Sequence, residues 1–403
     1  MGMKKRKKSF LLPTVSLLWL ILLFGGICLF SPIGITVSAQ SAENADTAEL
    51  WENIRELIAG LDLSALDEYI SSVDEIADWN VADKIVEFIS GGNVDYDDVF
   101  STLFSLFLDS VKDFLPSFAV ICAVSLTCAL LNAVRSETMQ DSVSKVIFYA
   151  GYCSVLVVVL AKVIVLFGGC MNCMQSMRKQ MEIVFPLLLT LMAASGGGVS
   201  VAVYRPAVAF LSGGVSSLLT EAVLPFTIVI IVFTMVSGLN DHIKLNGFIS
   251  FFRNANKWII GVCVTVFGIF LSVQGLTAAA YDGISLRAAK YAISNSVPIV
   301  GGFLSNGFDL VLAGSVLIKN SVGVIGIVLL VLSVLPALSQ LIGFSLCLRL
   351  SSAVCEPMGE ERISRFLTGL GDSTGYLVAC LLCVAFLYFL TVLLLICSAG
   401  VIF

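Results

Sequence analysis

Long apolar runs separated by short polar stretches dominate this 403-residue chain. Two of them, residues 146–168 and 258–280, are each close to the ~20 residues that an α-helix needs to cross a bilayer. In lipid, a run of this length satisfies its own backbone polar groups as a helix. Hydrophobic residues make up 58% of the chain and charged residues 13%, and the mean hydropathy of +0.98 excludes an ordinary soluble domain. The sequence therefore predicts an all-α, polytopic membrane protein.

The first 39 residues have the pattern of a secretory signal. A basic run at residues 4–8 precedes an apolar run at residues 10–30 and a small-residue site that ends at Ala39. This pattern predicts cleavage between Ala39 and Gln40. The apolar run is long for a signal peptide, so an uncleaved signal anchor is the alternative. In either case, the chain from Gln40 onward is exported.

Residues 40–113 form a separate acidic region with 18 acidic and three basic side chains. Apolar residues recur at helical spacing in residues 49–58, 81–89 and 95–113, which predicts three short amphipathic helices. Their polar faces lack the lysines and arginines that bind anionic lipid. We therefore expect this small exported helical region to dock on protein, either a partner or the membrane domain.

The membrane domain, residues 114–403, repeats itself. A Leu-Pro pair precedes an apolar segment three times, at Pro116, Pro225 and Pro336, which are about 110 residues apart. A polar loop with basic residues and a second long apolar segment follow each pair. The predicted repeat units are approximately residues 115–223, 224–334 and, as a final half, 335–403.

The basic loops predict the topology. They comprise residues 135–145, 240–257 and 349–372, and an even number of crossings separates each from the next. All three then lie on one side, which the positive-inside rule makes cytoplasmic. Export of residues 40–113 requires the same orientation. Arg178 and Lys179 lie on the outer side in this topology, against the rule.

Residues 296–319, SVPIVGGFLSNGFDLVLAGSVLIK, are apolar enough for a bilayer but contain features that a lipid-facing helix does not need. Besides its proline and glycines, the segment carries Asp309 and ends at Lys319. An ionisable residue inside the membrane is a functional-site hypothesis, and hydrophobic segments broken by Gly and Pro point to transporter-like binding sites. The alternative is that the glycines only permit close helix packing and that Asp309 pairs with a neighbouring base.

A similar stretch opens at Pro186, contains Gly196-Gly197-Gly198 and ends at Arg205-Pro206. The arms that follow the two stretches, residues 206–220 and 320–334, hold about 15 residues each, or about 22 Å of helix, against a hydrocarbon core of about 30 Å. These lengths predict re-entrant or short helices that place Arg205 and Lys319 at buried tips and line a polar path. Ordinary packing with snorkelling bases is the rival interpretation. The candidate residues are Gly196, Gly197, Gly198, Arg205, Glu221, Pro298, Gly301, Gly302, Asn306, Asp309, Lys319 and Asn320.

No catalytic residue, metal or cofactor is predicted. The sequence has neither a G-x-x-x-x-G-K-[ST] nor an H-E-x-x-H motif, and its one histidine, His242, is in a polar loop. Cys170 with Cys173 and Cys380 with Cys383 have C-x-x-C spacing, but no histidine cluster completes a zinc site. Within apolar runs, such cysteines pack as small hydrophobic residues, although the topology places the first pair near the outer face.

Three segments resemble the stage III sporulation protein AE family of endospore-forming bacteria. They are residues 185–208 (FPLLLTLMAASGGGVSVAVYRPAV), residues 285–326 (SLRAAKYAISNSVPIVGGFLSNGFDLVLAGSVLIKNSVGVIG) and residues 355–363 (CEPMGEERI). The resemblance implies a subunit of a channel or secretion-like complex in the mother-cell membrane around the forespore, where it supports late forespore gene expression.

The resemblance also implies partners. These are the other stage III AA-to-AH proteins, including a cytoplasmic ATPase and ring-forming subunits, and the forespore protein Q across the intermembrane space. It implies no established catalytic residues. Two alternatives stay open: a self-sufficient secondary transporter of a small solute, or a structural scaffold whose charges only fix helix packing.

Overall fold

A computed structural model describes residues 44–73, 76–90, 108, 112, 114–127, 141–239, 245–296, 301–357 and 361–398. The elements within these residues are all helical, which confirms the predicted all-α class. We number them α1 (Asn44–Ala59), α2 (Ser64–Ser71), α3 (Val81–Ile89), α4 (Phe114–Thr127), α5 (Asp141–Ala194), α6 (Gly198–Leu239), α7 (Asn246–Ser296), α8 (Gly301–Cys355) and α9 (Glu361–Cys397). The predicted signal segment, with Ala39 and Gln40, lies outside the described residues.

Five helices, α5 to α9, contain stretches long and apolar enough to cross a membrane. This confirms the prediction of a polytopic membrane protein. Three of the five contain more than 50 residues, and the longest, α8, has 55. At 1.5 Å per residue, such a helix is about 80 Å long, so it extends well beyond a hydrocarbon core of about 30 Å.

Helix α9 lies at the centre of the bundle. In its most apolar stretch 72% of the residues are buried, compared with 22% in the corresponding stretches of α5 and α7. It contacts α5, α6, α7 and α8. Aromatic pairs mark its contact with α5: the rings of Tyr152 and Phe366 are 5.1 Å apart, and those of Phe185 and Tyr388 meet edge-on at 5.2 Å. The matching order of these pairs shows that α5 and α9 run parallel.

Two of the basic loops meet at one end of the bundle. Arg349, at the end of α8, forms an ion pair of 3.0 Å with Asp372 in α9. Nearby, Nη2 of Arg253 in α7 donates to the carbonyl oxygen of Gly369 at 3.4 Å. The predicted common side of these two loops therefore agrees with the structure.

The predicted re-entrant hairpins are wrong. Residues 320–334 lie in the middle of α8, which continues from Gly301 to Cys355, and residues 206–220 lie inside α6. Consequently Pro225 and Pro336 do not begin helices. A proline removes one backbone hydrogen bond from its helix, and packing against neighbouring helices lets a membrane helix continue through it. The repeat of about 110 residues remains a prediction.

The break at the three consecutive glycines is confirmed. Helix α5 ends at Ala194 and α6 begins at Gly198. Gly196 has a φ of 85°, the left-handed conformation that glycine adopts without steric cost and that commonly ends a helix. The N–H of Gly197 then donates to the carbonyl oxygen of Met192 at 2.9 Å, which closes the helix end.

The described helices of residues 40–113, the region predicted to be exported, fold onto the membrane domain. Helix α3 has the predicted bounds and α1 covers the predicted residues 49–58, whereas α2 was not predicted. Helices α1 and α3 pack against α8, and α2 packs against α5. Of the two forms of protein docking that the acidic composition predicted, the structure shows docking on the membrane domain. Most of residues 95–113 lie outside the described part of the chain.

We expect Gly323→Ala to destabilise the bundle. A Cβ at this position would clash with Cδ1 of Ile396 in α9 and lie 2.5 Å from its Cγ1, and overpacking of this kind costs about 1–3 kcal/mol. Gly168→Ala is the matched control, because nothing lies within 4 Å of the Cβ it would add to α5. Thermal unfolding in detergent, followed by helical circular dichroism, measures both. Equal melting temperatures for the two variants would contradict the prediction.

Candidate functional site

Lys319 is the most unusual residue in the described part of the bundle. It lies in the outer half of α8, and its side chain is completely buried, at 0% exposure. Its Nζ makes no hydrogen bond in the part of the chain that the structure describes. An ammonium group normally has three donors satisfied by acceptors or water. A buried lysine without such acceptors is therefore a strong departure from ordinary packing.

Two further buried polar atoms accompany it. The hydroxyl of Ser315, one helical turn before Lys319, and Oδ1 of Asn320 also lack hydrogen-bond partners among the described residues. We call Ser315, Lys319 and Asn320 the Lys319 cluster. Each unsatisfied buried polar group costs about 1–3 kcal/mol, and a buried unpaired charge costs more. The Lys319 cluster is thus expensive to the fold and is better explained by function than by packing.

Three other helices enclose this part of α8. Next to Ser315, a Cβ at Gly314 would lie 3.2 Å from Cδ1 of Leu57, so α1 covers α8 there. Gly326 allows Val184 of α5 to approach closely, and Gly323, one helical turn after Lys319, lies against Ile396 near the end of α9. The Lys319 cluster therefore lies where α1, a helix of the region predicted to be exported, meets the membrane bundle.

The chemistry of the Lys319 cluster suits a hydrophilic occupant. Its three atoms comprise a cationic donor, a hydroxyl that both donates and accepts, and an amide oxygen that accepts. Water molecules, or a hydrophilic group, offer both acceptors and donors to atoms of these kinds. Intramembrane basic residues generally face protein or a water-filled cavity and mark pathways for substrates or ions.

Arg205 and Glu221 do not join this site. Both are exposed on α6, whereas Lys319 is buried on α8. The prediction that Arg205 and Lys319 occupy paired buried tips is therefore wrong, because both residues lie inside continuous helices rather than at bends. Among the candidate polar-path residues with described side chains, the structure brings together only Lys319 and Asn320.

The beginning of α8 carries the remaining candidates. Gly301, Gly302, Asn306 and Asp309 belong to its helical backbone. The side chains of Asn306 and Asp309 lie outside the described part of the chain, as does the whole of Pro298. Their predicted roles, including Asp309 as a counter-charge, remain predictions.

Helix α6 departs from α-helical geometry close to its exposed Glu221. Two π-helical segments, Phe210–Val215 and Leu219–Val223, lie on either side of a single α-turn. The hydroxyl of Ser216 donates to the carbonyl oxygen of Leu211, five residues earlier, at 3.1 Å. Such bulges are frequent at functional sites. This irregularity was not predicted from the sequence, and the glycine pair Gly213-Gly214 is the local signal in the sequence that accompanies it.

Gln180 is a buried polar residue that the sequence did not single out. Its Nε2 lies 3.0 Å from the hydroxyl of Tyr69, 3.1 Å from the carbonyl oxygen of Leu329 and 2.5 Å from the hydroxyl of Ser333, and its two N–H groups are shared among these acceptors. These bonds join α2, α5 and α8. The signal in the sequence was weak, because Gln180 follows Arg178 and Lys179 and reads as part of a polar loop.

The cysteines of both C-x-x-C pairs are buried in the bundle. Cys170 and Cys173 are therefore not surface groups, and their position near the outer side of the membrane remains a prediction. Cys380 of the second pair donates to Sδ of Met174 at 3.8 Å. In the described ranges, no group of three His, Cys, Asp or Glu side chains has a geometry that holds a metal ion.

Comparisons with known proteins identify close similarity to one family. The family model for stage III sporulation protein AE matches residues 80–400. The stage III sporulation protein AE of Bacillus subtilis (strain 168) is 26% identical over 379 residues, which cover 92% of this chain and 95% of that protein. No solved structure matches the chain.

Proposed function

The chain belongs to the stage III sporulation protein AE family, and from this premise we propose that it is a membrane subunit of a channel or secretion-like complex. Family membership supports a role in sporulation. In our proposal, the complex occupies the mother-cell membrane around the forespore. There the chain forms or gates a polar path and supports late gene expression in the forespore.

The observation that carries the polar path is the Lys319 cluster. A purely structural bundle gains nothing from a completely buried ammonium that has no hydrogen-bond partner among the described residues, since well-packed apolar residues are as stable or more stable at such positions. A subunit that admits water or a hydrophilic solute has a use for it. The exported helices on α8 also place a docking region for extracytoplasmic partners beside the Lys319 cluster.

The partners in this proposal are the other stage III AA-to-AH proteins. They include a cytoplasmic ATPase and ring-forming subunits, and the forespore protein Q contacts the exported side. We assign no catalytic activity and no cofactor to the chain itself. Because the sequence lacks a G-x-x-x-x-G-K-[ST] motif, nucleotide energy in the complex comes from another subunit.

Deletion and complementation test the role in sporulation. We expect deletion of the gene in its host to reduce heat-resistant spores to background, and a copy of the full chain to restore them. The readout is the number of colonies that survive heating, with forespore reporter expression measured in parallel. Normal sporulation of the deletion strain would refute the proposal.

Reconstitution separates the channel subunit from the self-sufficient transporter. A transporter moves a small solute when the purified chain alone is placed in liposomes with an ion gradient, whereas a subunit of a larger complex does not. Solute uptake by the chain alone would therefore favour the transporter.

The scaffold interpretation is tested separately: it predicts that loss of the lysine charge at position 319 has no effect on sporulation.

A further inference from the structure

A polar stripe runs along the exposed surface of α5. Asn172, Gln175, Lys179 and Glu182 are exposed and recur every three or four residues, so they share one face of the helix, with Arg178 beside them. We call these five residues the α5 stripe. The side chains of Arg178 and Glu182 are 48% and 54% exposed and form an ion pair of 3.0 Å. These charges therefore point away from the interior of the bundle.

The preceding part of the same helix has the opposite character. Val157, Ile164 and Val165 are exposed there, and such side chains suit contact with lipid tails. The surface of α5 thus changes from apolar to polar between Val165 and Asn172. No described part of the chain covers the polar part.

At the height of the α5 stripe, the other side of the bundle is apolar. Helix α6 lies between α5 and α7: Oγ of Ser216 is 4.0 Å from Sδ of Met181 in α5, and the ring of Phe210 stacks 6.4 Å from Phe267 in α7. Around Phe267, α7 exposes Val266 at 51% and Ile269 at 60%. At one height, the bundle therefore has an apolar face on α7 and a charged face on α5.

The α5 stripe is also level with the uncharged core of α9. Cys380 is within 3.8 Å of Met174 in α5, and Tyr388 contacts Phe185, so α9 residues between 380 and 388 are at the height of Arg178 and Glu182. A charged side chain directed at lipid costs about 2.5–3.5 kcal/mol on insertion scales. Charged side chains level with the apolar stretch of α9 avoid this penalty by facing the bundle interior or water. Because Arg178 and Glu182 are 48% and 54% exposed, they do not face the interior.

We propose that the α5 stripe faces an aqueous space while α7 faces lipid, so that the bundle forms part of the wall of a water-filled path. The path takes hydrated, polar solutes. The nature of the solute rests on the proposed function, whereas the water contact follows from the two faces alone.

Substituted-cysteine labelling in native membranes of sporulating cells tests the inference. The parent chain carries Cys153→Ser and Cys397→Ser, which remove the two exposed thiols of the described residues. Gln175→Cys and Lys179→Cys are each introduced into this parent, with Val266→Cys and Ile269→Cys as matched positions on α7. Each variant is treated with a membrane-impermeant maleimide, and the labelling of the parent is subtracted.

We expect cysteines at positions 175 and 179 to label at least about tenfold faster than those at 266 and 269, because the reactive thiolate forms where water reaches the sulfur. Equal rates at the two faces would overturn the inference. That result leaves the role in sporulation intact, since deletion and complementation test it separately. Fast labelling at position 179 in a chain whose deletion does not affect sporulation would instead retain the water contact and refute the proposed function.

Discussion

Replacing Lys319 with methionine is expected to raise the melting temperature of the protein and to abolish its function in sporulation. Methionine has a flexible, unbranched side chain that fills a similar space. It removes an ammonium group that is completely buried and makes no hydrogen bond within the described ranges. Exchanging buried charges for apolar residues stabilises proteins by about 1–4 kcal/mol in favourable cases. Thermal unfolding in detergent and counts of heat-resistant spores measure the two effects.

Lys162→Met provides the control for a lysine inside an apolar stretch. Lys162 is half-buried, and its Nζ lies 5.7 Å from the centre of the Phe114 ring. Loss of this cation–π contact costs about 0.5–1 kcal/mol, and we expect the variant to support normal sporulation. Immunoblots of both variants verify that comparable amounts reach the membrane.

Separation of stability from function is the decisive feature of the Lys319 experiment. A residue that only packs the bundle changes both in the same direction, because a less stable chain is less abundant. A variant that is more stable, equally abundant and inactive identifies a charge that the complex uses. Normal sporulation with Lys319→Met would show that the charge has no role, and the scaffold interpretation would then hold.

The bounds of α3 and the end of α5 were predicted correctly, because both depend on residues that are close together in the sequence. The bounds of α3, Val81–Ile89, follow from its apolar periodicity and from Asn80, whose Oδ1 accepts the N–H of Asp83 at 3.2 Å and caps the helix. The end of α5 follows from three consecutive glycines, the first of which has a positive φ. Both features depend on a few neighbouring residues, so the sequence alone determines them.

The hairpin prediction was wrong because it measured arm lengths from Pro206 and Asn320, and both residues lie inside longer continuous helices. Within α8, Gly314, Gly323 and Gly326 instead accommodate Leu57, Ile396 and Val184 from three different helices. For Gly314, whose surroundings the structure describes, this agrees with the packing interpretation that was kept as an alternative. Whether a glycine breaks a helix or admits a neighbour depends on the tertiary partner, which the sequence does not reveal.

Only part of the candidate site was predictable, because the sequence shows which residues are charged but not which of them face the interior of the bundle. Lys319 stands out in an apolar segment, and its burial confirms that it does not snorkel to the surface. The orientation of the other charged residues depends on which face of each helix meets the bundle. Arg205 and Glu221 proved to be exposed on α6, and the composition of their segments is compatible with either orientation.

Gln180→Leu is expected to loosen the attachment of the exported helices and to lower the stability of the whole bundle. The Nε2 group of Gln180 donates to Tyr69 in α2 and to Leu329 and Ser333 in α8. Leucine has a similar volume but leaves these acceptors without their donor, at a cost of about 1–3 kcal/mol for each group that stays buried and unsatisfied. The melting temperature measures the loss of stability. Limited proteolysis of residues 44–90 measures the release of α1 to α3.

Gln175→Leu is the matched control, because Gln175 is exposed on the same helix only five residues earlier. An exposed substitution of this kind changes stability by about 0.5 kcal/mol or less. If Gln180→Leu melted like Gln175→Leu and left the exported helices resistant to protease, the three hydrogen bonds would not be what holds α2 to the bundle. The attachment would then rest on apolar contacts such as those of Ile54 and Leu57 with Gly314, and exposure of the Lys319 cluster would require displacement of α1 rather than of α2.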